Sequence, residues 1–237
     1  MEISEGTRKA FKYASRDTFP IMTAFIVLGA GYGVLMRSKG VGWAWPGVMS
    51  LLIFAGSMQF VAADLIASGA SLLSTALMTL MVNFRHIFYG VSMLEKYKNT
   101  GARKPVLIFG LCDETFSLVC SADMPEEVSL KDYYLFVTLL DISYWVAGSF
   151  LGGLLGGALA FNAEGVDFAM TALFTVIFVE QWEGAKEHLP ALTGLALSLL
   201  SLLLFGPANF LIPALLLIAA ALSAERRLIE RRARDAG

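Results

Sequence analysis

Asn83, Arg85, His86 and Tyr89 stand inside one apolar run, LLSTALMTLMVNFRHIFYGVSML, over residues 72–94. The run is long enough to cross a bilayer. The chain has eighteen Lys and Arg, and all but Arg85 lie in the flanks between apolar runs. A cation at that depth costs about 2.5–3.5 kcal/mol on insertion scales, so it is kept only beside a partner or a wet cavity. At about 100° per residue, Thr75, Thr79, Asn83, His86 and Gly90 fall on one helical stripe, with Arg85 and Tyr89 adjoining it. Such a face turns away from lipid. Its chemistry is ion pairing, hydrogen bonding and proton exchange.

Acids and amides recur in the other apolar runs. Asp113 and Glu114 stand in the middle of 105–121. The apolar residues of that run favour insertion by about 2–5 kcal/mol in total, and two central acids oppose it by about 5–7. Alone it does not stay in lipid. The pair either reaches a headgroup region or binds a proton or an amine at depth. Asp141 lies near the start of 133–161, on one face with Thr138, Trp145, Gly148 and Gly152; it either pairs with Arg85 or lines a path. The glycines of that face read as a packing device. Gln59 punctuates 44–68, and Glu180 and Gln181 punctuate 168–184. His86 reads equally as a satisfied core imidazole or as a relay member.

The elements that must position these groups follow from composition. Of 237 residues 57% are hydrophobic and 16% charged, and mean hydropathy is +0.66. A soluble domain of this size carries more charge and fewer apolar residues. The chain is therefore an all-α polytopic membrane protein, a single transmembrane domain over 1–237. The tail at 4–16 reads as a basic amphipathic helix on the membrane surface. Cys112 and Cys120, eight residues apart on one apolar segment, are too far apart along a helix for a disulfide.

Eight apolar segments exist, but eight crossings fit the charges poorly. With the basic N-terminus inside, three successive crossings leave the basic loop 95–104 outside, against the positive-inside tendency. The conflict disappears if 44–68 is a broken segment that enters and returns on the outer side. The acidic loop 122–132 then lies outside. Treating 168–184 in the same way from the inner side puts the basic C-terminal tail inside as well. The expectation is about six full spans plus two broken or re-entrant segments. This count permits an inverted repeat of 18–121 and 133–224, the arrangement by which many secondary transporters build a midplane site.

No Gly-rich phosphate loop, CxxC pair, metal-ligand cluster, GxSxG or HExxH motif is present, so neither cofactor nor metal is expected. A fixed cation, carboxylates, amides and apolar wall suit a small zwitterion with an apolar side chain. On burial, Gln59, Asn83, Arg85, Tyr89 and Gln181 are the candidate substrate ligands. His86, Asp113, Glu114, Asp141 and Glu180 are the candidate proton relay. The alternative is a membrane-embedded enzyme using Asp113, Glu114 and His86 on an amphipathic substrate.

FAGSMQF at 54–60, VNFRHIFYGVSM at 82–93, DET at 113–115 and GVDFAMTALFTVIFVEQW at 165–182 resemble the AzlC-type branched-chain amino-acid permease family. The likeness runs through nearly the whole chain, in order. It implies a large subunit of the bacterial inner membrane that exports branched-chain amino acids on the proton gradient. It also implies a small AzlD-type membrane subunit as partner, and no nucleic acid. Glu180 stands where Asp is expected; the carboxylate is retained.

Overall fold

A computed structural model describes residues 4–157, 175, 178–179, 182–183, 188–206, 210, 213–214 and 216–224. Chain contacts divide it into two units, Met1–Thr171 and Ala172–Gly237. Every described segment of regular structure is helical. In the first unit the helices are α1 (Glu5–Asp17), α2 (Phe19–Ser38), α3 (Trp45–Ile53), α4 (Gly56–Ala67), α5 (Leu72–Asn83), α6 (Arg85–Met93), α7 (Lys104–Phe109), α8 (Asp113–Ser121) and α9 (Leu130–Leu155). In the second, α10 runs over Leu189–Phe205. Among the described residues, α2 and α9 are long and apolar enough to cross a membrane, and α4, α5 and α10 are shorter apolar helices.

The scaffold of the first unit is α2 laid on α9. Small residues let the two backbones meet. A Cβ on Gly33 would overlap the Ser149 carbonyl and the Gly153 amide, and one on Gly152 would overlap the Ala30 carbonyl. Gly29 faces Trp145, Gly148 and Ser149, while Arg37 faces Gly156 and Gly157. Residue numbers rise together along the contact, so the helices run parallel. The inverted relation expected between 18–121 and 133–224 needs them antiparallel, and this geometry overturns it.

The reason lies in 105–121, which doubles back on itself. α7 ends at Phe109, and the chain turns through Gly110, Leu111 and an extended Cys112 before α8 begins at Asp113. Gly110 packs on Thr138 and Ile142 of α9, at the depth of Asp141. α8 then returns to the level where α7 began, where Lys96 Nζ donates to the Val119 and Cys120 carbonyls at 2.9 and 2.8 Å. The basic loop and the acidic loop consequently share one end of the unit. Arg103 pairs there with Asp132, Thr7 donates to Asp132 at 2.7 Å, and Lys9 pairs with Glu127 at 2.5 Å. Placing 122–132 on the opposite side from 95–104 is thus corrected. Acidic residues do little to orient a loop, whereas they readily neutralise basic neighbours.

The first helix packs against α9. Ser4 caps it, accepting from the Thr7 amide at 3.2 Å. Ala10 and Ala14 are fully buried, and Phe11 meets Phe136 of α9 edge to face at 5.3 Å. The Lys9–Glu127 hydrogen bond holds the carboxyl below its ordinary range and the ammonium above its own. The pair is therefore fully formed at neutral pH. It is lost as pH falls through the Glu127 value or rises through that of Lys9.

The segment 44–68 breaks at Phe54 and Ala55. Phe54 takes the left-handed conformation, φ 41°, and caps α3 by donating its amide to the Ser50 carbonyl. α3 starts beside Phe150 and descends to the depth of Trp145; α4 climbs back until Lys39 pairs with Asp64 at 2.8 Å. The run 72–94 is also two helices, interrupted at Phe84. Two apolar clusters flank these breaks. One gathers Met93, Leu107, Val119 and Val137, and the other gathers Phe25, Tyr32, Phe54, Phe60 and Trp145.

If the α2–α9 backbone contact carries the fold, Gly33→Leu forces backbone apart, where overpacking costs about 1–3 kcal/mol or more. Gly31→Leu, with nothing within 4 Å of its Cβ, is the matched control. Detergent-stable protein should collapse for the first and stay at the parent level for the second, as read by fluorescence-detected size exclusion.

Candidate functional site

Three helix starts come together between the two clusters: Gly56 of α4, Arg85 of α6 and Asp113 of α8. Arg85 joins them. Its Nη2 lies 2.9 Å from Asp113 Oδ2 and donates to Ser57 Oγ at 3.0 Å. The ion pair is only partly covered, with 32% of the Arg85 side chain and 17% of that of Asp113 exposed. Tyr89, one turn on from Arg85, donates its hydroxyl to Asp113 Oδ1 at 2.5 Å. Its ring stacks on Phe116 at 4.5 Å, which fixes the hydroxyl over the carboxylate. Asp113 also stands in the first turn of α8, where unpaired backbone amides favour negative charge.

The same turn of α8 faces α9. Thr115 donates to Asp141 Oδ2 at 2.9 Å, and the Cys112 thiol lies 3.2 Å from the Thr115 hydroxyl. Asp141 is wholly buried, and its Oδ1 meets no hydrogen-bond partner among the described residues. A buried, half-satisfied carboxyl is uncommon in a native interior and calls for an explanation beyond packing. Arg85 takes Asp113, so the alternative pairing of Asp141 with Arg85 is not the one formed.

Among the substrate candidates, Arg85 and Tyr89 converge on one carboxylate. Asn83 contributes its backbone carbonyl, which accepts from His86 Nδ1 at 3.1 Å and closes the α5–α6 break. Gln59 is placed elsewhere. It is fully buried, its Oε1 accepts from Trp145 Nε1 at 2.9 Å and from the Ala55 amide at 3.3 Å, and its Nε2 donates to Ser50 Oγ at 2.8 Å. Ser50 in turn donates to Ser149 at 2.7 Å. The amide braces the α3–α4 break against α9. Gln181 and Glu180 lie outside the described residues.

Of the relay candidates, His86 and Glu114 are half-buried near Asp113, and Asp141 stands on the far side of Thr115. Among the described residues no hydrogen bond joins His86 to Asp113 or Glu114, and none of these groups is set as a nucleophile with its base. Ser57 and Thr115 escaped the sequence reading. Both occupy the first turn of a helix that starts at a break, which is the signal that finds them. Beside the site, His86, Gly90, Val91, Ile108 and Leu111 line an apolar cleft of about 330 Å³ between α6 and α7.

The AzlC protein family model matches residues 20–159. Over 222 residues the chain is 50% identical to the branched-chain amino acid transport protein AzlC of Bacillus subtilis, covering 94% of this chain and 87% of that one. It is 43% identical over 215 residues to an uncharacterized membrane protein of Haemophilus influenzae, covering 90% and 86%. With the inner membrane protein YgaZ of Escherichia coli it shares 24% over 172 residues, 71% of this chain and 70% of the other. No solved structure matches the chain.

Gln59→Leu separates a brace from a ligand. Leaving the Trp145 indole and the Ala55 amide without their acceptor costs about 1–3 kcal/mol per group. Thermal unfolding in detergent should move to lower temperature, with ligand affinity unchanged in the fraction that remains folded.

Proposed function

This chain belongs to the AzlC protein family, and from that premise we propose that it exports branched-chain and similar apolar amino acids across a bacterial inner membrane. The export is coupled to the proton gradient. A small AzlD-type membrane subunit works with the chain, and residues 1–237 form one transport domain.

The observation that carries this reading is the meeting of three broken helices around the Arg85–Asp113 pair. Discontinuous helices at the middle of a membrane protein expose backbone amides and carbonyls exactly where a polar solute must be held, and secondary transporters use them so. In a bilayer, α2, the α5–α6 run and α9 are the crossings of the first unit. The α3–α4 pair enters and returns from one face, and the α7–α8 pair from the other. With the N-terminus cytoplasmic, loop 95–104 and loop 122–132 lie together on the cytoplasmic side. Proton coupling is supported by Asp141, a sealed carboxyl with one oxygen unpartnered among the described residues. We assign the proton to Asp141 and Glu114, with His86 at the entrance.

Two measurements check this. Membrane vesicles carrying the chain with an AzlD-type subunit should show counterflow of labelled valine, saturable and competed by leucine and isoleucine, and a pH gradient should accelerate net efflux. Asp141→Asn should keep counterflow and lose the acceleration. Absence of any exchange of apolar amino acids would reject the assignment. Separately, cysteines placed at 99 and 126 should react with an impermeant maleimide from the same, cytoplasmic face.

A further inference from the structure

We propose that the Arg85–Asp113 ion pair is itself the recognition site for the substrate's zwitterionic head: Arg85 takes the carboxylate, Asp113 takes the ammonium, and the α6–α7 cleft takes the side chain. The inference rests on the transport reading above and assigns Asp113 to the substrate and not to the proton route.

A zwitterion carries the same two charges as this pair, so it can stand in for each group's partner. Arg85 Nη2 bonds both a carboxylate oxygen at 2.9 Å and the Ser57 hydroxyl at 3.0 Å, so an incoming carboxylate takes the donor that Asp113 releases. Asp113 keeps the Tyr89 hydroxyl on Oδ1 while Oδ2 faces the cation, so Oδ2 is the oxygen an ammonium would share. Neither group is sealed in, which makes exchange feasible. A fully buried pair would resist it.

The cleft is lined by sequence neighbours of both members of the pair. On α6, His86 lines it, and its ring lies 5.6 Å from that of Tyr89. On the other side Leu111, two residues before Asp113, lines it as well. Its volume of about 330 Å³ is at the small end for ligand sites, and its wall of Val91, Ile108 and Leu111 suits a branched aliphatic chain.

The test is competition against labelled leucine counterflow in vesicles bearing the wild-type chain, alone and with an AzlD-type subunit. The competitors are leucine, 4-methylpentanoate, which lacks the ammonium, and isoamylamine, which lacks the carboxylate. Each single-charge analogue should compete at least about tenfold more weakly than leucine. Asp113→Asn should weaken leucine without weakening 4-methylpentanoate, so that the ratio between them falls toward one. Ile108→Trp, which fills the cleft, should shift preference from leucine to alanine. If 4-methylpentanoate competes as well as leucine in the wild type, or Asp113→Asn preserves the ratio, the assignment is overturned while the transport reading stands. A wild type that exchanges no apolar amino acid overturns the transport reading and this assignment with it. Should Asp113→Asn fail to reach the membrane, the wild-type competition decides alone.

Discussion

The guanidinium of Arg85 sets the terms for the first unit. A permanent cation placed midway along an apolar run has to be met by an acid and by hydroxyl or carbonyl oxygens, and neighbouring helices must bring them. Asp113 and Ser57 meet it, and both stand in the first turn of a helix that starts inside the unit. A helix can start there only if the preceding one has stopped. The breaks at 54–55 and 110–112 are therefore the backbone's side of the same requirement that places Arg85. Remove the cation and Asp113 becomes an uncompensated charge over Tyr89, so neither half of the pair is stable by itself.

Around that point the unit divides its labour. Parallel packing of α2 on α9, made possible by glycines facing backbone, supplies a rigid reference. The breaks are then braced against α9 one by one. Gln59, Ser50 and Ser149 form a closed chain of hydrogen bonds from the α3–α4 break to Trp145, and Thr115 ties the α7–α8 break to Asp141. A left-handed phenylalanine at position 54 is strained. It persists because its ring is buried and packs near Phe109, with the centroids 6.2 Å apart. Each brace spends polar atoms that a sequence reading takes for ligands, which is why a buried glutamine at a helix break is ambiguous until its partners are known.

Much of this was legible in the residues. Arg85, Tyr89 and Asp113 stand out because ionisable and phenolic groups are costly at depth, and they come together in space. The interruption of 44–68 follows from its Pro, Gly, Ser and Gln content together with the loop charges. Three features were not legible. Gln59 could not be told from a ligand, since periodicity places a side chain on a face but does not name what covers it. Ser57 and Thr115 are short hydroxyls that acquire meaning only from Arg85 and Asp141 across the gap. The parallel sense of α2 and α9 depends on whether 105–121 crosses, and length alone suggests that it does.

Charge counting and insertion energetics disagree about 105–121, and energetics is the better guide. Loop charges favour a crossing only if the acids of 122–132 are given an orienting weight that acidic residues scarcely possess. The insertion terms point the other way: about 5–7 kcal/mol against, from Asp113 and Glu114 in mid-run, and about 2–5 in favour. A straight helix has no remedy for that deficit. Breaking at Gly110 does, because it turns mid-run residues into first-turn residues of a new helix, where free amides and the helix dipole stabilise carboxylates and where Arg85 is within reach. The acids thus dictate the break, and Gly110, pressed against Thr138 and Ile142 of α9, permits it. Once the segment turns back, α9 has to begin on the side where α2 began, and the parallel scaffold, the shared end of the acidic and basic loops and the Lys9–Glu127 contact all follow.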